Sequence, residues 1–142
     1  MEANNIMVPF KILLADDNEE FRASLAEYLS QQAGVAVVGQ VGDGRSAVFS
    51  AHSLRPDLIL MDISMPGMSG LEAARQIKVF SPGTKIVFVT IHEDKTYQAL
   101  AEVLGVDGFV CKSSVKHDLP KVLARMLGNG SSQSNSLKEQ TT

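Results

Sequence analysis

The chain contains a single cysteine, Cys111, so no disulfide can form within it and a reducing compartment is the simpler setting. No apolar run approaches the roughly 18 residues that a spanning helix needs. The opening MEANNIMVPF has neither the basic n-region nor the apolar h-region of a secretory signal. Together these absences predict a cytoplasmic protein without a membrane partner. Basic charge is not in excess either: 13 Lys+Arg stand against 16 Asp+Glu, for a formal net charge of −3. That excludes the sequence-independent attraction which clustered Lys and Arg exert on nucleic acid or anionic lipid. No internal repeat is present. His52, His92 and His117 lack any paired ligand spacing, which argues against a zinc site.

What is present is one domain's worth of chain, 142 residues with 44% hydrophobic and 20% charged side chains. Short runs rich in Val, Ile, Leu and Phe predict five buried strands at Phe10–Ala15, Val35–Val41, Leu58–Met61, Lys85–Val89 and Asp107–Cys111. Helical periodicity lies between and after them: Phe21, Leu25 and Leu29; Leu71, Ala74 and Ile77; Leu100 and Leu104; Leu119, Val122, Leu123 and Met126. The crossover at Ser46–Leu54 is a shorter, weaker helix. Strict alternation with continuously apolar strands predicts an α/β fold, a doubly wound five-stranded parallel sheet with the flavodoxin-like strand order 2-1-3-4-5. Residues 10–127 form this domain, and residues 1–9 are an N-terminal extension. From Gly128 the chain turns to Gly, Asn, Ser and Gln, the composition of a flexible tail or linker over 128–142.

In such a sheet, ligands bind outside the carboxyl ends of the strands. The first strand ends in Asp16-Asp17, the third in Asp62 and the fourth in Thr90, and Lys112 follows the fifth. Each has an ordinary role open to it. Asp17 with Glu20 suits a helix cap, Asp62 a turn, Thr90 a strand, and Lys112 a solvated surface. Their conjunction is less ordinary. Three carboxylates in one cleft repel unless a cation sits among them, and Lys112 supplies one charge. A hard divalent ion with oxygen ligands supplies the remainder, and this donor set suits Mg²⁺ better than Zn²⁺. Such a site is equipped for phosphoryl transfer, with Asp62, central in the sheet, as the candidate nucleophile.

At these positions the sequence resembles the receiver domain of bacterial two-component response regulators. The resemblance covers about residues 10–127. It rests on Lys11-Ile-Leu-Leu-Ala-Asp-Asp17, on the run from Asp57 through Asp62-Ile-Ser-Met-Pro-Gly to Glu72, on Val89-Thr90 and on Gly105-Val-Asp-Gly-Phe-Val-Cys-Lys112. It implies that Asp62 accepts a phosphoryl group from a phosphohistidine on a sensor histidine kinase or phosphotransfer protein. It further implies that Asp17, Asp62 and the Ser64 backbone carbonyl hold Mg²⁺, with Asp16 acting partly through water. Thr90 and Lys112 would then bind phosphoryl oxygens, and Phe109 would occupy the aromatic switch position. The chemistry is self-directed, a phosphoacceptor switch and not an enzyme acting on other molecules. The output is altered self-association, including a phosphorylation-dependent homodimer, or contact with an effector. Helices four and five and strand five are the faces expected to change.

One departure stands out. The family's lysine is very often followed by proline in a cis peptide, whereas here Ser113-Ser114 follows, which leaves the isomer open. This feature, the Asp62–Gly70 loop and Thr90-Ile91-His92 resemble receivers that precede LuxR-type helix-turn-helix domains. Nucleic acid would be reached only through such an effector domain, to control transcription.

Three other readings are weaker. A pseudo-receiver acting purely as an interaction module typically lacks an acidic or lysine position, and all are present. An aspartyl-phosphate phosphatase needs its second aspartate two positions beyond the first, which adjacent Asp16-Asp17 does not provide. Gly39-Gln-Val-Gly-Asp-Gly-Arg-Ser46 nearly spells a P-loop, but Arg45 stands where lysine must reach the phosphates. His92, two residues after Thr90, is placed either to tune phosphoryl lifetime or simply to face solvent. Acidic residues outnumber basic ones over residues 1–70, which predicts an acidic face around the first helix.

Overall fold

The computed structural model describes residues 8–128; residues 1–7 and 129–142, which hold most of the expected extension and tail, lie outside the described residues. Its strands are β1 (Phe10–Ala15), β2 (Val35–Val41), β3 (Leu58–Met61), β4 (Lys85–Thr90) and β5 (Gly108–Cys111). They form one parallel sheet in the order β2-β1-β3-β4-β5. The helices are α1 (Glu19–Ser30), α2 (Gly44–Leu54), α3 (Gly70–Phe80), α4 (Lys95–Leu104) and α5 (Val115–Leu127). Among the described residues no helix is long and apolar enough to cross a membrane.

Successive strand side chains point to opposite faces, so each central strand feeds two cores. Ile12, Leu14, Leu58, Leu60, Val87 and Val89 pack beneath α1 and α5, against Leu25, Leu29, Leu119 and Leu123. Their neighbours Leu13, Ile59, Met61, Ile86 and Phe88 pack beneath α2, α3 and α4, against Ala47, Ala51, Ala74, Ile77 and Ala101. Each large side chain buried this way contributes about 1.5–3 kcal/mol. The two layers hold the strands' carboxyl ends in one row.

Several boundaries differ from the sequence reading. The N-cap of α1 is Asn18, not Asp17: its Oδ1 accepts the Phe21 N–H at 2.9 Å. Asp17 is thereby left exposed at the strand ends. Helix α2 starts at Gly44, two residues early, because the Asp43 carboxylate accepts the Ser46 N–H at 2.8 Å. In α4 the expected inward residue Leu100 is 43% exposed, and the small Ala101 is the buried one. Strand β4 runs on to Thr90. Strand β5 starts one residue late, because Asp107 turns its carboxylate to the Ile86 N–H at 2.9 Å. The P-loop reading fails on geometry, since Gly39, Gln40 and Val41 lie within β2 and pair with β1. Lys112–Ser114 form a 3₁₀ turn leading into α5, and no peptide bond among the described residues is cis, so Lys112–Ser113 is trans.

Candidate phosphoacceptor and metal site

Strands β1 and β3 are hydrogen-bonded neighbours, with Ala15 opposite Met61. The residues that leave them, Asp16, Asp17 and Asp62, therefore emerge side by side. One carboxylate oxygen from each lies within 4.8 Å of the others. Asp16 and Asp62 are buried and Asp17 is exposed, so the cluster has one wet side. All of the donors are hard oxygens. With Asp17 open to solvent, the set fits a hydrated divalent ion that keeps several of its waters.

Lys112 enters from the end of β5. Its Nζ lies 2.9 Å from Asp16 Oδ2 and 3.3 Å from Asp62 Oδ2, with the lysine side chain only 13% exposed. The missing proline does not misdirect the lysine: with a trans peptide to Ser113, the ammonium still bridges two of the three carboxylates. Beneath it the Phe21 ring stands 4.3 Å from Nζ, a cation–π contact that replaces some of the lost hydration. Burial is the largest single influence on Lys112 and pulls its pKa down. The hydrogen bond to Asp16 and the charges of Asp62 and Asp16 outweigh it, and the direction is upward. Burial also leads at Asp16 and raises its pKa. The bonds from Lys112 and from the Asn18 N–H oppose it, while the Asp62 charge adds to it. By formal count, three carboxylates stand against the one ammonium that pairs with them.

The backbone fixes these carboxylates. Asp62 Oδ1 accepts the Ile63 N–H at 2.7 Å, and Asp16 Oδ1 accepts the Asn18 N–H at 2.9 Å. Arg22 Nη1 donates to the Asp16 carbonyl at 2.6 Å. At Gly70, the first residue of α3, an added Cβ would run into the carbonyl oxygen of Asp62. Only glycine lets this helix start against the acidic loop. Ser64 is exposed and lines a cleft of about 610 Å³ together with Asp17, Met65, Ser69, Leu71 and Tyr97. Thr90 ends β4 fully buried, its Oγ1 accepting the His92 N–H at 3.2 Å. Phe109 lies opposite Phe88 in β5, half-buried against the core under α2, α3 and α4.

Asp16, Asp17, Asp62 and Lys112 are brought together; Ser64 shares a cleft with Asp17, while Thr90 and Phe109 make no hydrogen bond to the cluster among the described residues. Sequence reasoning did not find the roles of Phe21 and Arg22. The first sits four residues after Asp17 on the next helix, which was a usable signal. For Arg22, no local pattern marks a bond to a backbone carbonyl.

Sheet and site together define a flavodoxin-like α/β domain with an acidic cleft, one ammonium and room for a hard cation. The chain matches the family described as response regulator receiver domain over residues 12–124, and it belongs to that family. It is 38% identical over 126 residues to the response regulator protein VraR of Staphylococcus saprophyticus, an alignment covering 87% of this chain and 59% of that one. This chain therefore spans little more than half the length of the curated relatives it matches. A two-component response regulator of the LuxR family from Aurantimonas superposes with a TM-score of 0.78 at 27% identity, covering 84% of this chain and 86% of that one. The isolated receiver domain of RcsB from Salmonella enterica, solved with the phosphomimetic BeF3−, gives 0.79 at 27% identity, covering 86% and 90%.

Proposed function

We propose that this chain is a phosphorylation switch in which Asp62 accepts a phosphoryl group from a phosphohistidine on a sensor histidine kinase or phosphotransfer protein. The observation that carries the reading is the cluster of three carboxylate oxygens within 4.8 Å, bridged by Lys112. An Asp62 oxygen attacks phosphorus, the bond from phosphorus to the donor imidazole breaks, and an acyl phosphate forms as the imidazole leaves. Asp17, Asp62 and the Ser64 carbonyl would hold Mg²⁺, with Asp16 contributing partly through water. The ion, when bound, neutralises the carboxylates and the incoming phosphoryl oxygens.

Lys112 keeps its proton, as its raised pKa favours, and moves from Asp62 to a phosphoryl oxygen. Thr90 donates its hydroxyl to another. Phe109 then turns toward the space that Thr90 and its loop vacate, a local charge event biasing a two-state surface. The chemistry acts on the chain itself, so this is a switch and not an enzyme with an external substrate. We assign the receiver to residues 10–127, with 1–9 as an extension and 128–142 as a linker. A cytoplasmic setting suits such a donor. The output is self-association, or control of transcription through a LuxR-type DNA-binding domain outside this chain, consistent with the kinds of relative it matches.

The test is an intact-mass spectrum after incubation with a small acyl phosphate, with and without Mg²⁺. The expected result is a Mg²⁺-dependent gain of one phosphoryl group in wild type and none in Asp62→Asn. No gain in folded wild type would turn the reading toward a non-phosphorylated interaction module.

A further inference from the structure

Among the described residues, the hydroxyl of Thr90 is hydrogen-bonded only within its own loop, to the His92 N–H. The segment that follows is pinned on both sides. His92 Nε2 lies 2.6 Å from Ser64 Oγ, on the loop that leaves Asp62. The His92 ring also lies over Tyr97 at 4.6 Å between centroids. One residue on, Glu93 Oε2 accepts a hydrogen bond from Ser113 Oγ at 3.0 Å, next to Lys112. A proline after the lysine would offer no such donor. The loop joining β4 to α4 is thus tied both to the loop carrying Asp62 and to the loop carrying Lys112.

We propose that the Ser64–His92 and Ser113–Glu93 hydrogen bonds are tethers holding this loop, and Thr90 with it, in the resting arrangement. His92, Glu93 and Ser113 are then positioning residues that set how readily the site takes a phosphoryl group. The proposal rests on Asp62 being the phosphoacceptor. Thr90 Oγ1 and the His92 N–H are bonded two residues apart, so a Thr90 drawn to a phosphoryl group carries His92 and Glu93 along. Bonds made only in the resting state lower the apparent affinity of any ligand that selects the other state. One solvent-facing hydrogen bond shifts that equilibrium by about threefold.

The probe is BeF3− at saturating Mg²⁺, titrated calorimetrically into the full chain. Ser113→Ala and His92→Ala are each expected to bind it about threefold more tightly than wild type. Ser113→Thr, which keeps the hydroxyl, should return to the wild-type value. The chain has no tryptophan and two tyrosines, so tyrosine emission follows Tyr97 against His92. In Ser113→Ala it should move toward the BeF3−-bound value before any ligand is added. Unchanged or weaker binding in both alanine variants, with wild type binding normally, overturns the tethers. Failure of folded wild type to bind BeF3− overturns the phosphoacceptor reading, and the tethers with it.

Discussion

At the scale of single residues, the site is governed by an imbalance: three carboxylates share one ammonium. Lys112→Ala removes the one cation that, among the described residues, pairs with the carboxylates of Asp16 and Asp62. Without Mg²⁺ the variant should lose roughly 1–3 kcal/mol of stability in denaturant unfolding, because two buried charges are left uncompensated. Saturating Mg²⁺ should recover part of that loss, and more than it adds to wild type. Asp17→Asn tests the opposite partner. Its side chain is exposed and caps no helix, so the fold should persist, while the Mg²⁺-induced rise in melting temperature shrinks or disappears. If Asp17→Asn keeps the full rise, the ion is not held at this cluster. A pH dependence belongs to this scale as well. Hydrogen bonds from Arg75, and then from Gln76, hold the Glu72 carboxyl down to about 2 from an ordinary 4.5. A depressed carboxyl stabilises the fold above its ordinary value, and that contribution is lost as pH falls through the folded one. Between pH 4.5 and 2, then, Glu72→Gln should lose stability less steeply than wild type. The difference should narrow in high salt, since the pair is solvent-exposed.

At the scale of elements, the starts of helices matter more than their middles. Ser69 caps α3 through its Oγ, which accepts the Glu72 N–H at 3.2 Å, so Ser69→Ala should cost about 1 kcal/mol in denaturant unfolding. Gly70→Ala is more severe: the new methyl meets the Asp62 carbonyl, and either α3 or the acidic loop must move, for about 1–3 kcal/mol. Phosphorylation should fall as well, since the displaced loop carries Asp62, the proposed phosphoacceptor. This scale is also where the sequence was easiest to read and where it misled. Strand Leu58–Met61 is legible to the residue because all four of its side chains are buried, which leaves an unbroken apolar run; Phe10–Ala15 and the half-buried edge strand Val35–Val41 are legible from their apolar majority, which Lys11 and Gln40 interrupt without breaking. Asp16, Asp17, Asp62, Thr90 and Lys112 were legible as strand-end residues, since the topology dictates which end is chemically active. Caps were not, because Asp17 and Asn18 are both capable capping residues and only the path of the chain into α1 selects Asn18. The inward face of α4 was misread for a related reason. Periodicity favours the large Leu100, but the face that α4 turns to the core carries Ala101, with Tyr97 and Leu104 packed beside it. The Glu93–Ser113 contact joins residues twenty apart in the chain, and no local pattern encodes it.

At the scale of the whole molecule, the acidic balance sets what this chain can touch by itself. With a formal net charge of −3, it should show no retention of duplex DNA in a mobility-shift assay at physiological salt, whether or not BeF3− is bound. Retention by this segment alone would assign it a nucleic-acid surface that its composition does not suggest. The strand order carries a further consequence, for the moment of synthesis. β1 lies between β2 and β3, so the three aspartates can meet once β3 has emerged from the ribosome. Lys112 lies about fifty residues further on. A nascent chain that pairs β1 with β3 in that interval would hold the carboxylates together without Lys112, and a soluble divalent cation would be suited to stand in the lysine's place.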